Sequence, residues 1–148
     1  MSIGAPLPGR LDEVVEAFDG MPRDVKLELL LDYASALPPL PERYAGNRDA
    51  LERVHECQTP FFVATELEDG RARLWFDAPD ESPTTKGFAG ILHAGLDGEP
   101  VEDVLAVPPD FSARLGLADA ISPLRLRGVA AILGAVQRQV RARVAAGT

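Results

Sequence analysis

Few side chains in this chain could do covalent chemistry, and one stands apart. Cys57 is the only cysteine of 148 residues, set in Val54-His55-Glu56-Cys57-Gln58-Thr59-Pro60. A thiolate is the natural nucleophile and sulfur carrier, so any side-chain route for sulfur or redox chemistry runs through Cys57. The two histidines, His55 and His93, are well separated, and the sequence holds no H-x-x-x-H, C-x-x-C or H-E-x-x-H spacing. A zinc site therefore has no support. Neither G-x-G-x-x-G nor G-x-x-x-x-G-K-[ST] occurs, which removes the usual phosphate cradles. Ser82 and Ser122 each precede a proline and read as helix caps, with no G-x-S-x-G elbow around either. The carboxylates are plentiful but scattered.

Two readings of Cys57 stay open on local grounds. Free cysteines are among the most buried residue types, and an inert packed thiol is one reading. The other is a reactive thiol, because its neighbours are polar and a loop can present a side chain to a partner. His55 favours a thiolate and Glu56 opposes it, so the local sequence predicts no strong activation.

The elements that must position this loop follow from periodicity. Leu11, Val14, Val15 and Phe18 recur at i, i+3, i+4 and i+7 and predict a helix over 11–18, broken by Gly20 and Pro22. A second helix is expected over 23–36, with Leu27, Leu30, Leu31 and Ala34 on one side. Leu37-Pro38-Pro39-Leu40-Pro41 cannot continue it. The segment before Cys57 is polar and helix-compatible. From Pro60 the period changes: 60–67 reads as a strand, Glu68-Asp69-Gly70 as a turn, and 71–77 as a second strand. In that second strand Ala72, Leu74 and Phe76 face one way, and Arg71, Arg73, Trp75 and Asp77 the other. Ser82-Pro83 opens a helix to about residue 94, Pro100 a short one to 106, and 110–115 a further helical piece. Ser122-Pro123 begins the longest helix, to about 145, with Val129, Ile132, Leu133, Val136, Val140 and Val144 as its stripe. The order predicts an α+β fold, a small antiparallel sheet with helices packed on one face.

Bulk properties narrow the partners. A chain of this length reads as one domain and buries roughly 70% of its unfolded surface, so it needs no disulfide. A lone cysteine fits a reducing, cytoplasmic setting. The first residues lack the features of a signal peptide, and no apolar run approaches the roughly 20 residues of a membrane span. A net charge of −8 argues against a general grip on nucleic acid. Arg125, Arg127, Arg138, Arg141 and Arg143 cluster in the last quarter, as a docking face for an acidic protein or as solvated helix positions.

The stretch around Cys57, the hairpin after it, Lys86-Gly87 and Ser122-Pro123-Leu124-Arg125-Leu126-Arg127-Gly128 together resemble the SufE-type sulfur acceptors, which partner cysteine desulfurases in iron–sulfur cluster assembly. The family pattern is one cysteine ahead of two strands, an acidic pair before a Lys-Gly helix start, and S/T-P-x-R-x-x-G opening the last helix. Asp80-Glu81 with Lys86-Gly87 fill the second position, and Arg125 with Gly128 the third; the order spans nearly the whole chain. The resemblance implies a fold akin to SufE and the IscU scaffolds, as a single SufE-like domain over 1–148. It implies that Cys57 accepts persulfide sulfur from a SufS-like cysteine desulfurase, stimulates it, and relays the sulfur to an iron–sulfur scaffold. Glu81 then sits where an acidic residue supports the cysteine loop, and Arg125 where an arginine contacts the desulfurase. No cofactor is implied for this chain, pyridoxal phosphate belonging to the partner; neither nucleic acid nor membrane is an expected partner.

The chain departs from the family's G-C-x-S, with Glu56 before Cys57 and Thr59 after it, and Glu56 and Pro60 restrict the loop more than glycine would. Because sulfur species on exposed thiolates are oxidised or reduced, Cys57 is expected to rest in an apolar pocket with a high pKa and to emerge on docking. The protein is then an acceptor and activator rather than a stand-alone enzyme. The alternative is a non-catalytic adaptor that binds a desulfurase or scaffold with Cys57 silent. A thiol peroxidase would want a resolving cysteine, which the sequence lacks.

Overall fold

A computed structural model describes residues 7–57 and 59–147 of the chain. Helices α1 (Gly9–Phe18) and α2 (Arg23–Ala36) come first. Leu11, Val14 and Phe18 are buried on one side of α1, the spacing that brings side chains to a common face. In α2 Leu30 and Ala34 are buried, but Leu31, expected on the same stripe, is exposed. One residue further along a helix turns about 100°, which carries Leu31 off the packed face.

The segment before Cys57 is not helical in the way its polarity suggested. A 3-10 turn (Arg48–Ala50) leads into a two-residue strand, β1 (Glu52–Arg53), which pairs antiparallel with β2 (Phe62–Glu68). With β3 (Arg71–Asp77) the sheet has three strands in the order β1-β2-β3, one more than the expected hairpin. The cause is tertiary. Arg138 holds both oxygens of Glu52, and Gln139 donates to Glu52 Oε1 at 2.9 Å and to Val63 O at 3.3 Å.

Between β2 and β3, Asp69 and Gly70 both take positive φ, 54° and 77°, and Glu68 pairs with Arg71. Two positive-φ residues make the turn whose twist matches a two-residue hairpin. Val63, Ala72, Leu74 and Phe76 enter the main core. The opposite face carries Glu66, which accepts hydrogen bonds from Arg43, from the Tyr44 hydroxyl at 2.8 Å and from Trp75 Nε1 at 3.0 Å. Tyr44, Leu51 and Ala64 form a small second cluster there, backed by Leu40, Phe62 and Trp75. The helices thus cover one face of the sheet, and the Pro-rich crossing with its neighbours covers the other.

Helix α3 (Pro83–Leu96) lies against α2 at unusually close range. A methyl group built on Gly87 would stand 2.5 Å from Leu30 O, and one on Gly90 would overlap the Tyr33 carbonyl. Ser82, expected to cap α3, makes no side-chain cap bond; Ser122 does, accepting from Arg125 N at 3.3 Å at the start of α5 (Pro123–Ala146). Ser122 holds the extended backbone (ψ 151°) that turns its hydroxyl back on the helix, whereas Ser82 (ψ 69°) is buried instead. Between α3 and α5 run α4 (Val101–Leu105) and a 3-10 turn (Phe111–Leu115). Gln137 of α5 donates to Val104 O and Val107 O, satisfying two buried carbonyls. Val144, at the end of the expected stripe, is 49% exposed, because α5 outruns the core there. Among the described residues no helix is long and apolar enough to cross a membrane.

Candidate functional site

Cys57 hangs on the loop between β1 and β2, and the loop is pinned at both ends. Val54 N donates to Phe61 O at 2.9 Å, and both residues are buried. Phe61 also packs its ring 5.9 Å from that of Phe76 on β3. Inside this closure Cys57 N donates to Val54 O at 3.2 Å, a turn that directs the side chain towards α5. The Cys57 thiol donates to the carbonyl of Gly128 at 3.8 Å. A methyl on Gly128 would lie 3.5 Å from the sulfur, so the glycine keeps this wall thin.

The thiol borders a cavity of about 70 Å³. Phe88, Val129 and Ile132 give it apolar walls from α3 and α5. Glu56, Thr59, Thr84 and Thr85 add polar atoms, and Leu124 and Arg125 stand at the start of α5. The pocket is thus mixed rather than wholly apolar as expected. Cys57 is 7% exposed. Burial pushes its thiol up to about 11, and the nearby Glu56 carboxylate pushes in the same direction. A raised thiol pKa is the mark of a sulfur whose desolvation outweighs any charge that would favour the thiolate. His55 therefore supplies none of the activation its position in sequence allowed for.

The arrangement can hold a protonated thiol out of solvent beside space for one more small group. It has no second thiol, and among the described residues no three of His, Cys, Asp and Glu cluster as metal ligands.

A family model described as "SufE: Fe-S metabolism associated domain" matches residues 12–140. This chain belongs to the SufE family. It is 51% identical over 142 residues to an uncharacterized SufE-like protein of Mycobacterium tuberculosis, covering 95% of this chain and 98% of that one. It is 29% identical to the cysteine desulfuration protein SufE of Plasmodium vivax, over 82% of this chain and 49% of that protein. Among solved structures, the solution structure of a hypothetical protein from Thermus thermophilus superposes with a TM-score of 0.84 at 46% identity, covering 95% of this chain and 99% of that one. The small antiparallel sheet with helices on one face is thus a SufE-like fold.

Of the residues that the SufE resemblance singled out, Cys57, Arg125 and Gly128 meet at one place and Glu81 does not. Arg125 borders the cavity of Cys57, its side chain exposed and without a hydrogen bond or ion pair among the described residues. Gly128, the last position of the same motif, is the residue that the thiol touches. Glu81 is exposed in the turn before α3 and does not line the cavity; its neighbour Asp80 instead pairs with Lys86 at 2.6 Å. Of the three threonines at the cavity, the sequence marked only Thr59, as the residue in place of the family's serine, and gave it no role there. Thr84 and Thr85 offered only a weak signal, two hydroxyls directly after Pro83 at the start of a helix.

Proposed function

We propose that Cys57 of this SufE-family chain accepts sulfur from the persulfide of a cysteine desulfurase and relays it to an iron–sulfur scaffold, stimulating the desulfurase as it does so. One observation carries the reading: the sole thiol is buried against a cavity large enough for an added atom, on a loop closed by the hydrogen bond between Val54 and Phe61. Family membership in iron–sulfur metabolism and the desulfuration named for the Plasmodium relative support it. The lone cysteine suits a reducing compartment such as the cytoplasm.

The resting thiol is almost wholly protonated at neutral pH, so transfer begins when docking draws the loop out and water or the partner removes the proton. The Cys57 thiolate then attacks the outer sulfur of the donor persulfide. A bond forms between Sγ and that sulfur, the donor's sulfur–sulfur bond breaks, and the donor cysteine leaves as a thiolate that takes up the proton. Nothing is oxidised overall, since the sulfane sulfur only changes carrier. Arg125, exposed beside the cavity, is placed to meet acidic or carbonyl groups of the desulfurase as the loop emerges. Glu81, also exposed, is proposed to steady the cysteine loop only in that opened state.

Desulfurase turnover with L-cysteine, measured by alanine release, tests the proposal. The wild-type chain raises the rate and Cys57→Ala does not. If Cys57→Ala stimulates as well as wild type, the chain acts as an adaptor and the thiol is silent.

A further inference from the structure

Thr59 lies two residues beyond Cys57 and lines the same cavity. Of the three threonines there, it is the one whose hydroxyl oxygen is buried and has no hydrogen-bond partner among the described residues. A buried hydroxyl without a partner is destabilising where a methyl group would not be, so its presence calls for a reason. The resting thiol does not supply one. Cys57 already satisfies its S–H on the Gly128 carbonyl, on the α5 side of the cavity.

The reason appears once a sulfur atom is added to Cys57. The cavity of about 70 Å³ exceeds the roughly 10–15 Å³ that one water needs, so the added sulfur fits inside. The side chains of Phe88, Val129 and Ile132 in its lining offer no hydrogen-bond donor. A terminal sulfur, protonated or ionised, is a hydrogen-bond acceptor, and the unpaired Thr59 hydroxyl is a donor at the same cavity. We infer that Thr59 donates its hydroxyl proton in a hydrogen bond to the outer sulfur of a Cys57 persulfide, and so keeps the carried sulfur inside the cavity between transfers. This assignment rests on the reading of Cys57 as the acceptor. Thr59 is a positioning residue: it breaks no bond and holds the atom that the next acceptor will take.

The test uses the whole chain, charged with sulfur by a cysteine desulfurase and L-cysteine and then separated from it. Loss of the added sulfur to dithiothreitol is followed by mass spectrometry. Thr59→Val keeps the branched shape and removes the hydroxyl, and it should lose its sulfur about tenfold faster than wild type, the usual scale for a hydrogen bond to a charged or polarisable group. Thr59→Ala, which removes the hydroxyl without a branched replacement, should behave alike, and Thr59→Ser should stay within about twofold of wild type. The alkylation rate of uncharged Cys57 should be the same in all four, because a merely structural role would loosen the empty site too. Equal sulfur lifetimes in wild type and Thr59→Val overturn the assignment, as does faster alkylation of the uncharged variants in step with sulfur loss. A wild-type chain that gains no sulfur overturns the acceptor reading itself, and this assignment with it.

Discussion

Raising the pH probes the buried thiol directly. Cys57 is pushed from an ordinary 9.0 to about 11, with burial the first cause and the Glu56 charge the second. At pH 7.5 a thiol of pKa 9.0 is roughly 3% thiolate and one near 11 roughly 0.03%, so ionisation alone slows native Cys57 about a hundredfold. The assay is alkylation by iodoacetamide, read by mass spectrometry across pH 7–11 on native and denatured chain. The native rate should climb about tenfold per pH step and bend only near 11, while the denatured chain bends near the ordinary thiol value. Glu56→Gln should lower the native bend without bringing it back to 9.0, because burial remains. A native bend at or below 9.0 would refute the reasoning, as would a full return in Glu56→Gln, which would make charge the main cause. Stability follows the same shift. A thiol whose native pKa lies above its unfolded value contributes stability below pH 9 that fades as pH rises towards 11, with a ceiling of about 2–3 kcal/mol. That alkaline portion should be missing from Cys57→Ala in chemical denaturation.

Gly128→Ala places a methyl at ordinary contact distance, 3.5 Å, from the Cys57 sulfur. The helix should gain about 0.5–1 kcal/mol in urea denaturation while sulfur loading slows, so a variant that is more stable and loads at the wild-type rate would show that this wall is not part of the site. Glu66, held at about 2 by Arg43 first and by Trp75 and Tyr44 beside it, contributes stability above its ordinary 4.5 that is lost as pH falls towards 2. Because its partner Arg43 is largely exposed, Glu66→Gln should cost about 1–2 kcal/mol at pH 7 and little near pH 2, and equal stability of both chains at pH 7 would contradict this. Arg125→Glu should leave the melting temperature within about 1 °C of wild type, since no partner is lost, yet weaken desulfurase binding about tenfold by titration calorimetry. Unchanged binding would remove Arg125 from the interface.

Much of the fold was legible because its elements carry periodic patterns. Leu11, Val14 and Phe18 marked α1, the Asp69-Gly70 turn with its flanking alternation marked β2 and β3, and Ser122-Pro123 marked the start of α5. Strand β1 was not legible, since two residues carry no period and Glu52 is placed by Arg138 and Gln139 from the far end of the chain. Ser82 and Ser122 read identically ahead of proline, and only backbone dihedrals separate the one that caps from the one that does not. At the site, the sequence singled out Cys57, Arg125 and Gly128 separately, and the fold brings them to one cavity. The place of the threonines at the cavity could not be found that way. Thr59 belongs to the cysteine loop and Thr84 and Thr85 to α3, and they share a wall only because α3 and α5 close over that loop.

The central claim is that sulfur lands on Cys57. The direct measurement is mass spectrometry of the intact chain and of its Cys57 peptide after incubation with a cysteine desulfurase and L-cysteine. The account predicts a gain of one sulfur atom on that peptide in the wild type, removed by dithiothreitol and absent from Cys57→Ser. No gain in the wild type, or a gain that persists in Cys57→Ser, would contradict it.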